Sequence, residues 1–191
     1  PLNQRGRSQA QAASEFLKNI SIQKAFSSSL SRPRETAQII LKKHPGIKIS
    51  LKDNLKEISH GKWEGKLESE INSDWPDLLK TWKILPEKVQ MPDGENIKEV
   101  SKRSIAGWIE ICKNLKDNET ALIVAHDAVN KTILCHLLGL MPSEIWMIKQ
   151  GNGGITVIDL SEKEDQPDQI ACLNITSHLG GILDSTAAGA L

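Results

Sequence analysis

Cysteine and aromatic residues are scarce in this sequence of 191 residues, which has three cysteines, two phenylalanines and no tyrosine. Cys112, Cys135 and Cys172 are far apart, and an odd number of cysteines without a Cys-x-x-Cys pair argues against a disulfide framework and against a zinc site. We therefore expect the three thiols to be small buried apolar groups in the reducing cytoplasm.

Long apolar runs and an excess of charge of one sign are also missing. No run of about 18 apolar residues occurs, so the sequence predicts no membrane-spanning helix. The chain begins at Pro1 without the pattern of a signal peptide. The 24 basic and 24 acidic side chains cancel, which gives no support for a surface that binds nucleic acid or an anionic membrane. We expect a cytoplasmic protein with neither of these partners.

Helical and strand patterns alternate along the chain, whose length suits one domain with a full-sized core. This alternation predicts an α/β fold with a mainly parallel sheet. The stretch 53–93, which holds three of the five tryptophans, is irregular and predicts a cap or insertion with short helices. The predicted helices cover 6–20, 33–44, 97–115 and 128–138, and the predicted strands cover 24–27, 47–51, 120–125, 154–160 and 170–176.

Two strand-to-helix turns present an arginine and a histidine. Arg32 follows the strand-like run at 24–27 and precedes a helical pattern, and His126 stands in the same position after the run at 120–125. In an open α/β sheet such turns gather at the carboxyl ends of the strands, where ligands bind. An arginine and a histidine beside helix N-termini form an anion site. The pair therefore predicts phosphate chemistry, although the chain has no glycine-rich phosphate loop.

Phosphoryl transfer needs positioning, charge stabilisation and a proton for the leaving oxygen. Arginine offers a planar fork with a permanent charge, and a protonated histidine, with an unperturbed pKa of ~6.5, can donate to a phosphoryl oxygen. A carboxylic acid with a raised pKa can supply the proton. The candidate acid lies in the segment 54–65, Asn-Leu-Lys-Glu-Ile-Ser-His-Gly-Lys-Trp-Glu-Gly.

The motifs of the chain, taken together, resemble those of the histidine phosphatase superfamily. This phosphoglycerate mutase-like group includes cofactor-dependent mutases, broad phosphatases and α-ribazole phosphatases. The matching motifs occur in the family's order over most of residues 2–160. They are Arg-Gly-Arg-Ser-Gln-Ala at 5–10, Ser-Ser-x-Leu-x-Arg at 27–32, Leu-x-Glu at 55–57, Gly-x-Trp-Glu-Gly at 61–65, Pro-Asp-Gly-Glu at 92–95 leading to Arg103, and Val-Ala-His at 124–126.

The resemblance implies a role for each matching residue. Arg32 would be the second phosphate-binding arginine, Glu57 the proton donor, and His126 the second histidine, which binds and polarises the phosphoryl group. It also implies a three-layer fold with the sheet between helices, and phosphoryl transfer through a phosphohistidine. The expected partner is a small phosphorylated metabolite, and neither a cofactor nor a metal is expected. A homo-oligomer is left open.

The sequence departs from the family pattern at two points. The family's nucleophile is a histidine in an Arg-His-Gly motif at the end of the first strand, and that motif does not occur here. We therefore interpret the chain as a domain over 1–177 without its first strand, inactive by itself, followed by a tail at 178–191. Loss of a central strand predicts unpaired backbone groups and a cavity. The chain's end resembles that of two-domain cyanobacterial members. The second departure is Asp127, an acid where the family commonly has glycine. We expect an acid beside the phosphate site to repel the anion unless its side chain turns away.

Alternative interpretations stay open beside the phosphatase. Glu57 and His126 are 69 positions apart, and the cofactor-dependent mutases usually carry a longer insertion there, so the span favours hydrolysis over mutase activity. The missing nucleophile also allows a non-catalytic domain that binds a phosphorylated ligand. Taken singly, Arg32 and Glu57 could be surface charges, and His126 could be a core histidine.

Overall fold

A computed structural model describes residues 1–163 and 166–181 of the chain. The helices are α1 Gln4–Leu17, α2 Ser31–Ile40, α3 Glu68–Asp74, α4 Pro76–Ile84, α5 Ile97–Lys113 and α6 Asp127–Leu137. The strands are β1 Lys24–Ser28, β2 Ile49–Lys52, β3 Ala121–Val124, β4 Ile155–Asp159 and β5 Gln169–Ile175. Short single turns of 3₁₀ helix lie between them at Leu41–Lys43, Asp53–Leu55, Gly61–Trp63, Pro86–Lys88, Pro142–Met147 and Ser177–Leu179.

The first three strands form a parallel sheet in the order β2-β1-β3. Ala25 of β1 pairs with Ile49 of β2 and with Leu122 of β3. Helices α5 and α6 pack against each other, and Phe26 of β1 belongs to the same core. Helix α1 packs against α2, and α2 contacts β1 and β3. This arrangement confirms the predicted α/β fold with a parallel sheet flanked by helices.

The last two strands pair only with each other in the described part of the chain, and they are antiparallel. A short connection of this kind joins antiparallel strands, whereas a parallel pair needs a longer crossover. The predicted sheet is therefore divided in two. A cleft of about 2120 Å³ is lined by β3, β4 and α1, and the second edge of β3 has no partner among the described residues. Both the unpaired edge and the cavity were expected from the sequence.

The irregular stretch predicted as a cap contains α3 and α4. Trp82 and Leu79 of α4 are almost completely buried and join the main core, together with Ile71 of α3. The Trp146 ring stands edge-on to Trp82 at 5.4 Å between centroids, and its Nε1 donates to the Trp82 carbonyl at 2.9 Å. Tryptophan packing therefore fixes the cap to the segment after α6.

The loop after Glu57 crosses the 92–95 turn at very short range. A Cβ on Gly61, whose φ is +54°, would lie 2.1 Å from the Pro92 carbonyl oxygen, and one on Gly94 would lie 2.4 Å from the Ser59 carbonyl oxygen. The two segments also exchange backbone hydrogen bonds, from Lys62 to Pro92 and from Glu95 to Ser59, each 2.8 Å long. Only glycine fits at this crossing.

Gly61→Ala should therefore lower the free energy of unfolding of the natural full-length polypeptide by about 3 kcal/mol or more. The left-handed backbone costs about 1–2 kcal/mol for a residue with a Cβ, and the clash with backbone adds a further overpacking cost. Gly139→Ala is the matched control, since Gly139 has φ +68° and a Cβ there meets nothing within 4 Å. Urea unfolding measures both variants, and equal losses would show that the crossing relaxes.

The structure corrects one expectation about the cysteines and adds detail to the end of the chain. Cys135 is buried, as expected, but Cys112 is only half-buried and Cys172, on β5, is exposed. His178 stacks on Phe16 of α1 at 5.1 Å between ring centroids. The rest of the predicted tail, 182–191, lies outside the described residues.

In the described ranges no helix is long and apolar enough to cross a membrane.

Candidate active site

The three side chains predicted from the sequence follow the ends of the three parallel strands. Arg32 lies in the first turn of α2 after β1, Glu57 follows β2 and one 3₁₀ turn, and His126 directly precedes α6 after β3. The carboxyl ends of parallel strands meet at one edge of a sheet. Burial raises the pKa of Glu57 and lowers that of His126, and the positive charge of Arg32 contributes a lowering to both, so Arg32 lies within electrostatic range of both groups.

His126 is a buried imidazole whose pKa is shifted. Its side chain is held at the end of the sheet by Ser28, whose Oγ lies 3.0 Å from Nε2. Burial lowers the pKa of His126 to about 4, and the charges of Arg32 and Arg103 add to this effect. A bound phosphate would supply the opposite charge that raises the pKa of His126 again.

The pKa of Glu57 is shifted in the opposite direction to that of His126. Burial raises the pKa of its carboxyl group above the usual range, and the nearby charge of Asp127 raises it further. The backbone N–H groups of Ile58 and Ala128, the first at 3.0 Å, and the charge of Arg32 partly oppose this shift. A carboxyl group with a raised pKa keeps its proton to higher pH, which is the property that a general acid requires.

Arg103 of α5 holds the segment that carries Glu57. Its guanidinium donates to the carbonyl oxygens of Asn54, Lys56 and Glu57, at 3.0, 2.6 and 3.1 Å. The same group donates through Nε and Nη2 to both carboxylate oxygens of Glu95, at 2.7 and 2.8 Å. Arginine suits this position because its planar fork satisfies several acceptors at once. Arg103 is therefore a positioning residue for the candidate acid.

Asp127 does not present an unpaired negative charge to the phosphate position. Its Oδ2 lies 2.7 Å from Nζ of Lys131, one helical turn further along α6. The Lys131 side chain is only 9% exposed, and its ammonium lies 5.1 Å from the centre of the Trp146 ring. The repulsion expected from an acid at this position is therefore reduced by an adjacent cation.

Sequence reasoning missed three residues that shape the site. Lys131 could have been found, since the spacing of four from Asp127 on a helix is typical of an ion pair. Arg103 was noted only as the end of a motif, without its contacts. Ser28 was noted only as part of the Ser-Ser-x-Leu-x-Arg motif, and its contact with His126 could not be expected because it joins positions 98 apart.

The described residues contain no group of three or more histidine, cysteine, aspartate or glutamate side chains placed to hold a metal ion. The site combines the permanent positive charge of Arg32 with the imidazole of His126, whose pKa a bound anion would raise. It also contains the carboxyl group of Glu57, which retains its proton to higher pH than usual. These groups are suited to bind a phosphoryl group and to protonate an oxygen that leaves it.

Known proteins share both the sequence pattern and the fold. The family model described as histidine phosphatase superfamily (branch 1) matches residues 1–172. The chain belongs to the histidine phosphatase superfamily. Phosphoserine phosphatase 1 from Hydrogenobacter thermophilus is 30% identical over 94% of this chain and 82% of its own length.

Two further proteins extend the comparison. The probable 2-carboxy-D-arabinitol-1-phosphatase of Arabidopsis thaliana is 28% identical over 91% of this chain, which spans only 35% of the plant protein. The solved structure of Bacillus stearothermophilus YhfR superimposes with a TM-score of 0.87 at 26% identity, covering 94% of this chain and 87% of that one. The resemblance to the histidine phosphatase superfamily, expected from the motifs, is confirmed.

Proposed function

We propose that this histidine phosphatase hydrolyses small phosphomonoesters through a phosphohistidine intermediate and without a metal ion. In the first step a histidine nitrogen attacks phosphorus, the bond from phosphorus to the ester oxygen breaks, and Glu57 gives its proton to that oxygen. In the second step water attacks phosphorus, the phosphorus–nitrogen bond breaks, and the Glu57 carboxylate takes a proton from the water. The products are the alcohol and inorganic phosphate.

The observation that carries this proposal is the convergence of Arg32, Glu57 and His126 at one sheet edge, with Glu57 adapted to hold a proton. Arg32 and His126 bind the phosphoryl oxygens, and the arriving anion favours protonation of His126. Ser28 fixes the orientation of the imidazole. The phosphatase names of the relatives support hydrolysis, and each name describes that relative's own substrate.

The nucleophile of this proposal is the histidine of the family's Arg-His-Gly motif. The chain contains five histidines, and none of them stands in that motif. We therefore propose that the 191 residues by themselves bind phosphate but do not turn over esters. The domain over 1–177 and the cytoplasmic location belong to the same proposal.

The decisive experiment assays p-nitrophenyl phosphate and a set of small phosphomonoesters in excess chelator. The natural full-length polypeptide should remain fully active, because Arg32 and His126 supply the charge that a metal ion would otherwise supply. The isolated 191-residue chain should show no turnover above background. A loss in chelator that Mg²⁺ or Zn²⁺ restores would exclude the metal-independent mechanism. Turnover by the isolated chain that His126→Ala abolishes would show that the nucleophile is misassigned.

The same assay separates hydrolysis from the two alternatives. A mutase would transfer the phosphoryl group between hydroxyls of a phosphoglycerate and release little phosphate. A non-catalytic domain would bind phosphate and release none from any ester, even in the full-length polypeptide. The span from Glu57 to His126, which the described residues fill with α3, α4 and α5, favours water as the acceptor.

A further inference from the structure

The imidazole of His126 carries a single proton at neutral pH, because burial and two arginines lower its pKa to about 4. One nitrogen of a neutral imidazole donates a hydrogen bond and the other accepts one, and the proton can be on either. A phosphoryl oxygen needs a donor. The nitrogen that holds the proton therefore decides how His126 can meet a phosphoryl group.

The hydroxyl group of Ser28 is completely buried, and its contacts leave one place for its proton. Ser28 is 0% exposed at the end of β1. Its Oγ accepts from the backbone N–H of Leu30 at 3.3 Å and lies 3.0 Å from Nε2 of His126. Within the described ranges no other acceptor lies in hydrogen-bond distance of this oxygen. The Ser28 O–H group therefore donates to Nε2, because a buried donor without an acceptor is costly.

The other nitrogen of the same ring faces a different environment. Since Nε2 accepts from Ser28, the single proton of the neutral imidazole belongs on Nδ1. Nδ1 has no hydrogen-bond partner in the part of the chain that the structure describes. His126 lines the large cleft together with Arg32. The N–H group of Nδ1 is therefore the donor that His126 has available for a ligand in the cleft.

The opposite tautomer is unfavourable for two reasons. With the proton on Nε2, the imidazole would donate to the Ser28 oxygen, and the buried hydroxyl proton of Ser28 would lose its acceptor. Nδ1 would then carry a lone pair, which cannot donate to the oxygens of a phosphoryl group. Both the buried hydroxyl group and the expected ligand favour the proton on Nδ1.

We propose that Ser28 selects the Nδ1–H tautomer of His126 and so makes Nδ1 the donor to a phosphoryl oxygen in the cleft. The inference rests on the proposed function, and it makes Ser28 a positioning residue that acts through His126. A bound anion that raises the pKa of His126 adds a second proton at Nε2, and Nδ1–H stays in place. The donor toward the cleft is therefore the same in both charge states.

NMR of the natural full-length polypeptide with ¹⁵N-labelled histidine tests the tautomer at neutral pH. Long-range proton–nitrogen correlations distinguish the nitrogen that carries the proton from the one that accepts, and the signals missing in His126→Gln identify His126. We expect the proton on Nδ1, and a proton on Nε2 would overturn the proposal. This measurement needs neither turnover nor a variant of Ser28.

Ser28→Ala tests whether this hydroxyl group is the cause. The Nε2–H tautomer should appear, and kcat/KM for p-nitrophenyl phosphate should fall about two- to ten-fold, as for the loss of one neutral hydrogen bond. Ser27→Ala is the matched control, because Ser27 is also 0% exposed but its Oγ donates to the Ser28 carbonyl at 3.0 Å. It should leave the tautomer unchanged. A proton that stays on Nδ1 in Ser28→Ala would show that Ser28 does not select the tautomer.

Inorganic phosphate tests the second half of the proposal and separates it from the proposed function. Saturating phosphate, with binding measured independently by calorimetry, should move the Nδ1–H resonance of His126. Phosphate that binds without moving this resonance would overturn the role of Nδ1 as its donor. If the polypeptide neither binds phosphate nor hydrolyses p-nitrophenyl phosphate, the proposed function is wrong, and the NMR result still decides the tautomer.

Discussion

Replacing Arg32 with alanine should lower kcat/KM about 10²–10³-fold for every phosphomonoester that the natural full-length polypeptide hydrolyses, the range expected for one electrostatic contact to the transition state. The guanidinium is charged at every working pH, so it acts in the ground state and in the transition state. Its charge acts on both Glu57 and His126. KM should therefore rise and kcat should fall, and steady-state kinetics over several substrates measures both.

Arg34→Ala provides the matched control. Arg34 lies on the same helix two residues further on and is likewise exposed. Its removal takes away the same charge from α2 without reaching the sheet edge, and it should change kcat/KM less than about two-fold, as for a surface charge. Similar losses in the two variants would mean that the net charge of α2 attracts the substrate, and that Arg32 makes no specific contact.

Glu57→Gln should slow phosphoryl transfer strongly for alkyl phosphates and weakly for p-nitrophenyl phosphate. An alkoxide is a poor leaving group and needs the proton, whereas p-nitrophenolate leaves without it; general acid catalysis contributes about 10²–10⁴-fold. Single-turnover phosphorylation with both substrates isolates this step. Glu64→Gln, an exposed acid of the same loop that accepts from Ser59, should leave both rates unchanged. Equal losses for the two leaving groups would make Glu57 a structural or binding residue.

The pH dependence provides a second readout of the same acid. Burial and the charge of Asp127 raise the pKa of Glu57. Glu57 is therefore fully protonated at low pH and loses its proton as the pH rises through this raised pKa. The rate with alkyl phosphates should fall over the same pH range, which forms the basic limb of the pH profile. Asp127→Asn removes the charge that raises the pKa and should move the limb to lower pH. In Glu57→Gln the limb should be absent.

The positions of the helices and strands near the site could be predicted because local and tertiary preferences agree there. The strand at 24–28 is followed after two residues by α2, which has Pro33 in its first turn, and Gly139 lies just past the end of the helix that starts after His126. In the 53–93 stretch only short helices could be expected. The bounds of α3 and α4 depend on burial of Trp82 and Ile71 against the core, which no local pattern encodes.

Candidate residues for the site could be named from the sequence, but their electrostatics could not be predicted. Motifs place Arg32, Glu57 and His126, yet the neutral state of His126 follows from burial and from two arginines that are remote in sequence. Asp127 was expected to repel an anion, and its pairing with Lys131 reduces that effect. The contact of Arg103 with the Glu57 carbonyl joins positions 46 apart, and only the folded chain brings them together.

Three of the five hydrogen bonds of Arg103 tie the segment of the acid to a helix, although Glu57 itself lies in a loop. Loops are usually the first parts of a domain to loosen on warming, and side chains on them are held less precisely than those on helices. Here the carbonyl oxygens of Lys56 and of Glu57 itself are bound to Arg103 of α5, so this part of the loop stays in place while that helix stays packed. Thermal inactivation and the unpacking of α5 should therefore be a single event, at one temperature.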